Sequence, residues 1–280
     1  MTPQLSPLGR FERVLLITDG EEFSAGAERV ALALARRCGA TLYAAMPVLT
    51  NPEYEALAPA AVGENEAAAA AALERVARAA AAQDVRCETR VLRGEEPYED
   101  VVAEAHARRA DLIVIRRRGR KSFLGSLLVG ETVTRVLGHA PCAVLTVPRA
   151  AESPSRGIVV GVDGSASADA AAVAAAALAR HCALPLTVVA VHDTADQRSE
   201  AAQTLDRVAG LLAAEGTDAA RRLQAGKPYQ GLIDAAADTG ADLIVLGSHG
   251  RSGLRHAVIG STVEQVIGRA ACAVLVVKAY

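Results

Sequence analysis

The residues best suited to chemistry are Gly247-Ser248-His249-Gly250 and, a few positions on, Gly260-Ser261-Thr262. The apolar run Asp242-Leu243-Ile244-Val245-Leu246 leads directly into them. A short buried strand that ends in two spaced glycines, with a third glycine opening a helix, is a way to build an anion cradle. Glycine lets the backbone come close to a ligand and take positive φ. A helix start adds unpaired N–H groups and the positive end of the helix dipole. The anion that this arrangement suits is a nucleotide phosphate.

A second cluster, Gly161-Val162-Asp163-Gly164-Ser165, also follows an apolar strand. Asp163 can orient an adenosine through its carboxylate or the nearby backbone. It can equally be an Asx-type turn residue that starts the next helix. The glycine cluster that accompanies it favours the first reading. Ser261 has two compatible readings. Ser261-Thr-Val-Glu264 fits a capping box, and the same geometry aims backbone N–H groups and the Ser261 and Thr262 hydroxyls at an anion. Arg251 is suited to screening phosphate charge or to standing solvated in the loop. His249 has no carboxylate or nucleophile at a spacing that would make it a catalytic base. Arg255 falls beside the loop, and His192 and His256 read as surface or lining residues.

The elements that must position these groups alternate strand and helix. Residues 157–162, 186–191, 219–224, 242–246 and 272–277 read as strands; 167–181, 197–215, a segment from Pro228, and 261–269 read as helices. Short apolar strands between helices imply a parallel sheet covered on both faces. Ligands of such sheets bind beyond the carboxyl ends of the strands, where strand order reverses.

The chain repeats this plan. Ala110-Asp-Leu-Ile-Val-Ile115 returns as Ala241-Asp-Leu-Ile-Val-Leu246, and Cys142-Ala-Val-Leu-Thr-Val147 as Cys272-Ala-Val-Leu-Val-Val277. Pro97-Tyr98 is matched by Pro228-Tyr229, and Leu34-Ala-Arg-Arg-Cys38 by Leu178-Ala-Arg-His-Cys182. The 280 residues are therefore two copies of one domain, expected at 9–149 and 156–280, joined near Arg149–Arg156. Most of the extra length of copy one lies between residues 48 and 97.

Composition narrows the function classes. The formal charge of −2 argues against a general nucleic-acid binder. The alanine runs at 67–72 and 170–177 read as tightly packed helices, not membrane spans, because charges interrupt or flank them. The start lacks the basic-then-apolar pattern of a signal peptide. Five dispersed cysteines without a C-x-x-C pair suit reduced core thiols, and the expected location is cytoplasmic.

Both copies resemble universal stress protein domains, over nearly the whole span from Arg13 to Val277. The ATP-binding branch of that family carries G-x2-G-x9-G-[S/T], which copy two matches at Gly247, Gly250, Gly260 and Ser261. Asp163 stands where that branch has its adenosine-side aspartate. The resemblance implies two Rossmann-like α/β domains, each a five-stranded parallel sheet in the order 3-2-1-4-5 with helices on both faces. It implies ATP, with Mg2+ near its phosphates, between the ends of the first and fourth strands, with Gly161 and Val191 flanking the adenine. It also implies that the closing strands, 142–147 and 272–277, meet in an internal pseudo-dimer, and that two chains can associate further.

Copy one departs from the motif. It reads Arg116-Arg-Arg-Gly119, then, one residue further than in copy two, Gly130-Glu131. Arg116 replaces the first glycine, Glu131 replaces Ser261, and Pro47 replaces Val191. A glutamate at a helix start complements the dipole by about 0.3–1 kcal/mol and would repel a phosphate there. Copy one is therefore expected not to bind ATP in the family manner. The basic run Arg116–Lys121 reads as a solvated loop that partly pairs with nearby acids, or as a site for another anion or an acidic partner. Segment 50–63 reads as a lid or partner surface.

The P-loop, dinucleotide fingerprint, nucleophile elbow and zinc-helix motifs are all missing from the sequence. The expectation is a stress-response or signalling protein that binds an adenine nucleotide in copy two and acts through an unidentified protein partner. The alternatives are a scaffold of the same fold that binds no nucleotide, and a slow ATPase.

Overall fold

The computed structural model describes residues 10–117, 129–250 and 259–278. Copy one contains strands β1 (Arg13–Ile17), β2 (Thr41–Leu49), β3 (Cys87–Gly94), β4 (Leu112–Arg116) and β5 (Ala143–Val147). Its helices are α1 (Ala25–Cys38), α2 (Pro52–Leu57), α3 (Pro59–Ala81), α4 (Pro97–Ala107) and α5 (Glu131–His139). Copy two contains β6 (Ile158–Val162), β7 (Leu186–His192), β8 (Ala220–Ala225), β9 (Leu243–Gly247) and β10 (Ala273–Val277). Its helices are α6 (Ala166–Cys182), α7 (Arg198–Ala214), α8 (Pro228–Thr239) and α9 (Ser261–Arg269).

All ten strands form one sheet in the order β3-β2-β1-β4-β5-β10-β9-β6-β7-β8. Each half keeps the order 3-2-1-4-5 with parallel pairing, as expected. The halves join where β5 meets β10 antiparallel, with Leu145 opposite Leu275. The inner strands are buried on both faces, which explains their unbroken apolar sequences, whereas edge strands β3 and β8 carry arginines and glutamate.

Two helical layers cover the sheet. One apolar core includes α1, α3, α6 and α7; the other includes α4, α5, α8 and α9. Alanine dominates the buried face of α6, so this helix lies close to the strands beneath it. At the seam, the Lys278 ammonium donates to the Gly138 carbonyl at the end of α5 (2.7 Å), and Arg117 donates to the Ala270 carbonyl at the end of α9. Each half thus supplies a cation to a helix C-terminus of the other, where the dipole favours it.

The aspartate of the repeated Ala-Asp-Leu-Ile-Val motif has a structural task. Asp111 accepts from the backbone N–H groups of Glu12 (2.7 Å) and Arg13 (3.2 Å). Asp242 accepts from Ser155 (2.9 Å), Arg156 (3.1 Å) and Gly157 (3.3 Å), and these donors outweigh desolvation and hold its carboxyl below its usual range. Both lie at the amino ends of the strands, opposite the glycine motif. The five cysteines are free, and burial pushes the Cys142 thiol up to about 12 and the Cys272 thiol up to about 11. Cys38 and Cys142 are small core residues, and Cys87, Cys182 and Cys272 are half-buried. Among the described residues, no helix is long and apolar enough to cross a membrane.

The extra length of copy one forms α2 and the 23-residue α3. Segment 50–63, read from sequence as a lid or partner surface, is therefore largely helical. α2 buries none of its residues.

Candidate functional site

The two clusters singled out by sequence meet at the carboxyl end of the C-terminal half. β6 ends at Val162 and delivers Asp163; β9 pairs beside it and ends at Gly247. Asp163 Oδ1 accepts from the Ser165 N–H (3.0 Å), so it is an Asx-type turn residue, and it also faces the cavity. Ser165 caps α6, its Oγ accepting from the Ala168 N–H at 3.2 Å. The same hydroxyl donates to the His249 carbonyl (3.5 Å), so Ser165 ties α6 to the glycine loop and lies beside the cavity instead of lining it.

The loop after β9 is pinned at Ser248 and His249. The Ser248 N–H donates to the Val277 carbonyl (3.0 Å), and the His249 N–H to Ser167 Oγ (3.3 Å). Ser248 is buried; its Oγ and His249 Nδ1 lie 2.9 Å apart, so it positions the imidazole and does not line the cavity itself. The Gly260 N–H returns to the Ser248 carbonyl at 3.2 Å, which sets α9 in front of the loop. His249 Nε2 is buried and has no hydrogen-bond partner among the described residues. Arg251, Arg255 and His256 lie outside the described residues.

Two expectations about this loop need correction. Gly247, Gly250 and Gly260 do not adopt positive φ, so their value is steric. A Cβ on Gly247 would lie 2.4 Å from Ser167 Oγ and 2.5 Å from the Ser167 carbonyl carbon, so this glycine lets α6 sit on β9. A Cβ on Gly250 would instead meet Asp163 Oδ2 at 2.9 Å, inside the site. The capping box is also absent. Gly260 is the N-cap, no side chain caps α9, and Ser261 is the first helical residue. The N–H groups of Ser261, Thr262 and Val263 therefore have no intrahelical partner, as any first turn requires.

The cavity between these groups is open on one side and about 190 Å3 in volume. Gly161, Val162, Asp163 and Val191 line one side, and Gly247, His249 and Gly250 the next. Gly260, Ser261 and Thr262 complete the polar wall. Sequence reasoning missed the apolar wall: Val189, Pro228, Leu232, Leu246 and Val263, with Ala168. It followed glycines and polar groups, whereas this wall is the apolar core reaching the surface. The volume is below the roughly 300–1,000 Å3 of sites that enclose a whole drug-sized ligand, so the described walls suit one end of a nucleotide.

The same place in the N-terminal half is filled. The Arg117 N–H donates to the Val147 carbonyl (3.1 Å) as that of Ser248 does to Val277, which makes Arg116 the counterpart of Gly247. The Arg116 guanidinium forms an ion pair with Asp19, the counterpart of Asp163. A one-turn 3-10 segment, Glu22–Ser24, sets back the start of α1. Gly161 is matched by Ile17, which is buried in the core beside Ile115 and Val101, where copy two has Leu246 and Leu232. Glu131, expected to obstruct a phosphate, is the exposed first residue of α5, the position that Ser261 holds in α9. Arg116 and Ile17 occupy the positions of Gly247 and Gly161 beside it. Residues 118–121 of the basic run lie outside the described residues.

Among the described residues, no group of three or more His, Cys, Asp or Glu side chains is placed to hold a metal ion. A metal at the site would have to be carried largely by ligand oxygens.

The sequence profile of the universal stress protein family matches residues 10–148 and 155–278. A universal stress protein of Synechocystis is 28% identical over 165 residues, covering 59% of this chain and 57% of that protein. One from Thermus aquaticus is 34% identical over 143 residues, 49% of this chain and 98% of that protein. A solved universal stress protein from Archaeoglobus fulgidus superposes with a TM-score of 0.76 at 20% identity, covering 95% of this chain and 98% of that one. With both halves matched and the order 3-2-1-4-5 present twice, the chain belongs to the universal stress protein family.

Proposed function

We propose that the chain is a stress-response protein whose C-terminal half binds one adenine nucleotide, ATP with Mg2+ on its phosphates. Occupancy would alter its contacts with a protein partner. The observation that carries this reading is the contrast between the two copies. At equivalent positions, copy two has Gly161 and Gly247 around an open cavity, and copy one has Ile17 and an Arg116–Asp19 ion pair. The residues present fit the ligand. A Cβ would intrude at Gly250, His249 Nε2 is a buried nitrogen without a hydrogen-bond partner among the described residues, and the first turn of α9 offers N–H groups at the cavity wall. In this reading the base and ribose lie between Asp163, Val191 and Leu232. The phosphates run toward Gly250, Ser261 and Thr262.

Micromolar affinity corresponds to about −8 kcal/mol, in keeping with a partly enclosed site. The test is to heat-denature one sample of the purified chain and analyse the supernatant for nucleotide, then titrate a folded, nucleotide-free sample with ATP by calorimetry. One nucleotide per chain, lost in Gly250→Val, is the expected result. Stoichiometric nucleotide in Gly250→Val, or two per wild-type chain, would refute it.

A further inference from the structure

The N-terminal half holds a larger cleft that the nucleotide reading does not use. It lies beyond the end of β2, against α2 and α3, and its volume is about 790 Å3. That is within the range of sites that enclose a small organic ligand, roughly 300–1,000 Å3. It shares Asp19 and Pro47, the counterparts of Asp163 and Val191, with the equivalent of the C-terminal cavity, but opens on the other side of the sheet. That cavity is walled by α8 and α9, whereas α3 belongs to the opposite helical layer.

Three sides of the cleft are apolar. Met46, Pro47 and Val48 come from the end of β2. Ala68, Ala71 and Ala72 face them from α3, and their single methyl groups leave the space open. Leu49, 62% exposed, and Tyr54 of α2 form the rim. α2 is held there without burying a side chain. Arg93 reaches Glu55 on α2 (3.4 Å) and Glu66 on α3 (2.6 Å), and Asn51 Oδ1 accepts from the Tyr54 N–H (2.7 Å).

The charged residues lining the cleft are Asp19, Glu21 and Arg75. Asp19 is paired with Arg116 from outside the lining, and Glu21 and Arg75 offset each other in sign at the same end. Little net charge is left to hold an ion against the loss of its hydration. The uncharged polar residues of the lining include Asn51 and Asn65, whose side-chain NH2 groups are donors suited to carbonyl or hydroxyl oxygens.

We propose that this cleft is a second ligand site, taking one uncharged amphipathic organic molecule. Its apolar body lies between β2 and the alanine stripe, and its oxygen-bearing end meets Asn51 and Asn65. The probe is 6-propionyl-2-(dimethylamino)naphthalene, an uncharged naphthalene with a ketone, followed by its fluorescence on the full chain. One saturable site per chain is expected. Ala71→Phe should weaken it at least tenfold, and Ala68→Phe provides a second variant; both alanines are exposed, so melting temperatures should stay within a few degrees of wild type. Gly250→Val should leave probe binding unchanged, which separates this site from the nucleotide site. The anionic 8-anilinonaphthalene-1-sulfonate should bind at least tenfold more weakly than the ketone. Absence of saturable binding, unchanged affinity in both alanine variants, loss in Gly250→Val, or equal affinity for the sulfonate would each overturn the proposal.

Discussion

Replacing Gly247 or Gly250 by alanine should have different consequences, although the two glycines belong to one motif. At Gly247 the new Cβ would stand 2.4–2.6 Å from three atoms of Ser167, two of them backbone. No rotamer relieves a backbone clash, so α6 must move off β9. Overpacking of this kind costs about 1–3 kcal/mol, or roughly 2–10 °C in melting temperature at this chain size. At Gly250 the Cβ would meet only Asp163 Oδ2, at 2.9 Å, the far end of an exposed side chain that can turn away. Stability should then change by less than about 0.5 kcal/mol, as for a surface substitution. Turning Asp163 away forfeits a charge-assisted hydrogen bond to the nucleotide, worth about 1.5–3 kcal/mol, so affinity should fall roughly 10- to 150-fold. Thermal unfolding without nucleotide, followed by circular dichroism, reads the first effect, and calorimetric titration with ATP reads the second. If Gly250→Ala melts as low as Gly247→Ala, or Gly247→Ala leaves the melting temperature unchanged, the steric reasoning is wrong.

Arg116→Gly should not create a nucleotide site in the N-terminal half, because Ile17 still fills the position of Gly161; equilibrium dialysis with ATP should continue to show one site. The same substitution leaves Asp19 without its ion-pair partner and should lower stability by about 1–2 kcal/mol, less than for a fully buried pair, measured by urea denaturation. Burial lowers the Lys278 pKa from 10.5 to about 8. The unfolded chain therefore holds this proton more tightly, and the residue costs stability below pH 8. That cost disappears as pH rises from about 8 to 10.5. The stability of wild type relative to Lys278→Met should rise across that interval; a flat difference would show that Lys278 is not desolvated. Taking the difference removes the contribution of the cysteines that do not interact with Lys278; Cys142, which does, should be replaced by alanine in both proteins.

The duplication was legible because Ala110–Ile115 and Cys142–Val147 return almost unchanged in copy two. Strand order and the β5–β10 seam were expected from the family resemblance, since no local pattern encodes which strands become neighbours. At the site, the cluster Gly247, Gly250, Gly260 and Asp163 was visible as glycines after apolar runs. The division of labour among them was not. Gly247 serves α6, which is some 80 positions earlier in sequence, and that contact exists only once β6 and β9 are side by side. Ser261 was read as a cap because its spacing to Glu264 fits, but the chain enters the helix one residue earlier, at Gly260. Arg116 was recognised as an intruder, yet its partner Asp19 becomes apparent only when β1 and β4 pair. The replacement of Gly161 by Ile17 could have been found by aligning the copies at Asp19 and Asp163. The cleft beside α3 could not, because an alanine stripe reads as a packed helix whether or not anything packs on it.

The β5–β10 seam joins two strands of a single chain, so docking of the halves carries no dependence on protein concentration. In a symmetric pair of separate subunits, every substitution is imposed on both partners at once. Here Ile17 and Arg116 change one lobe and leave the other untouched. One lobe is free to acquire a different ligand while its twin retains the first, and dilution cannot part them.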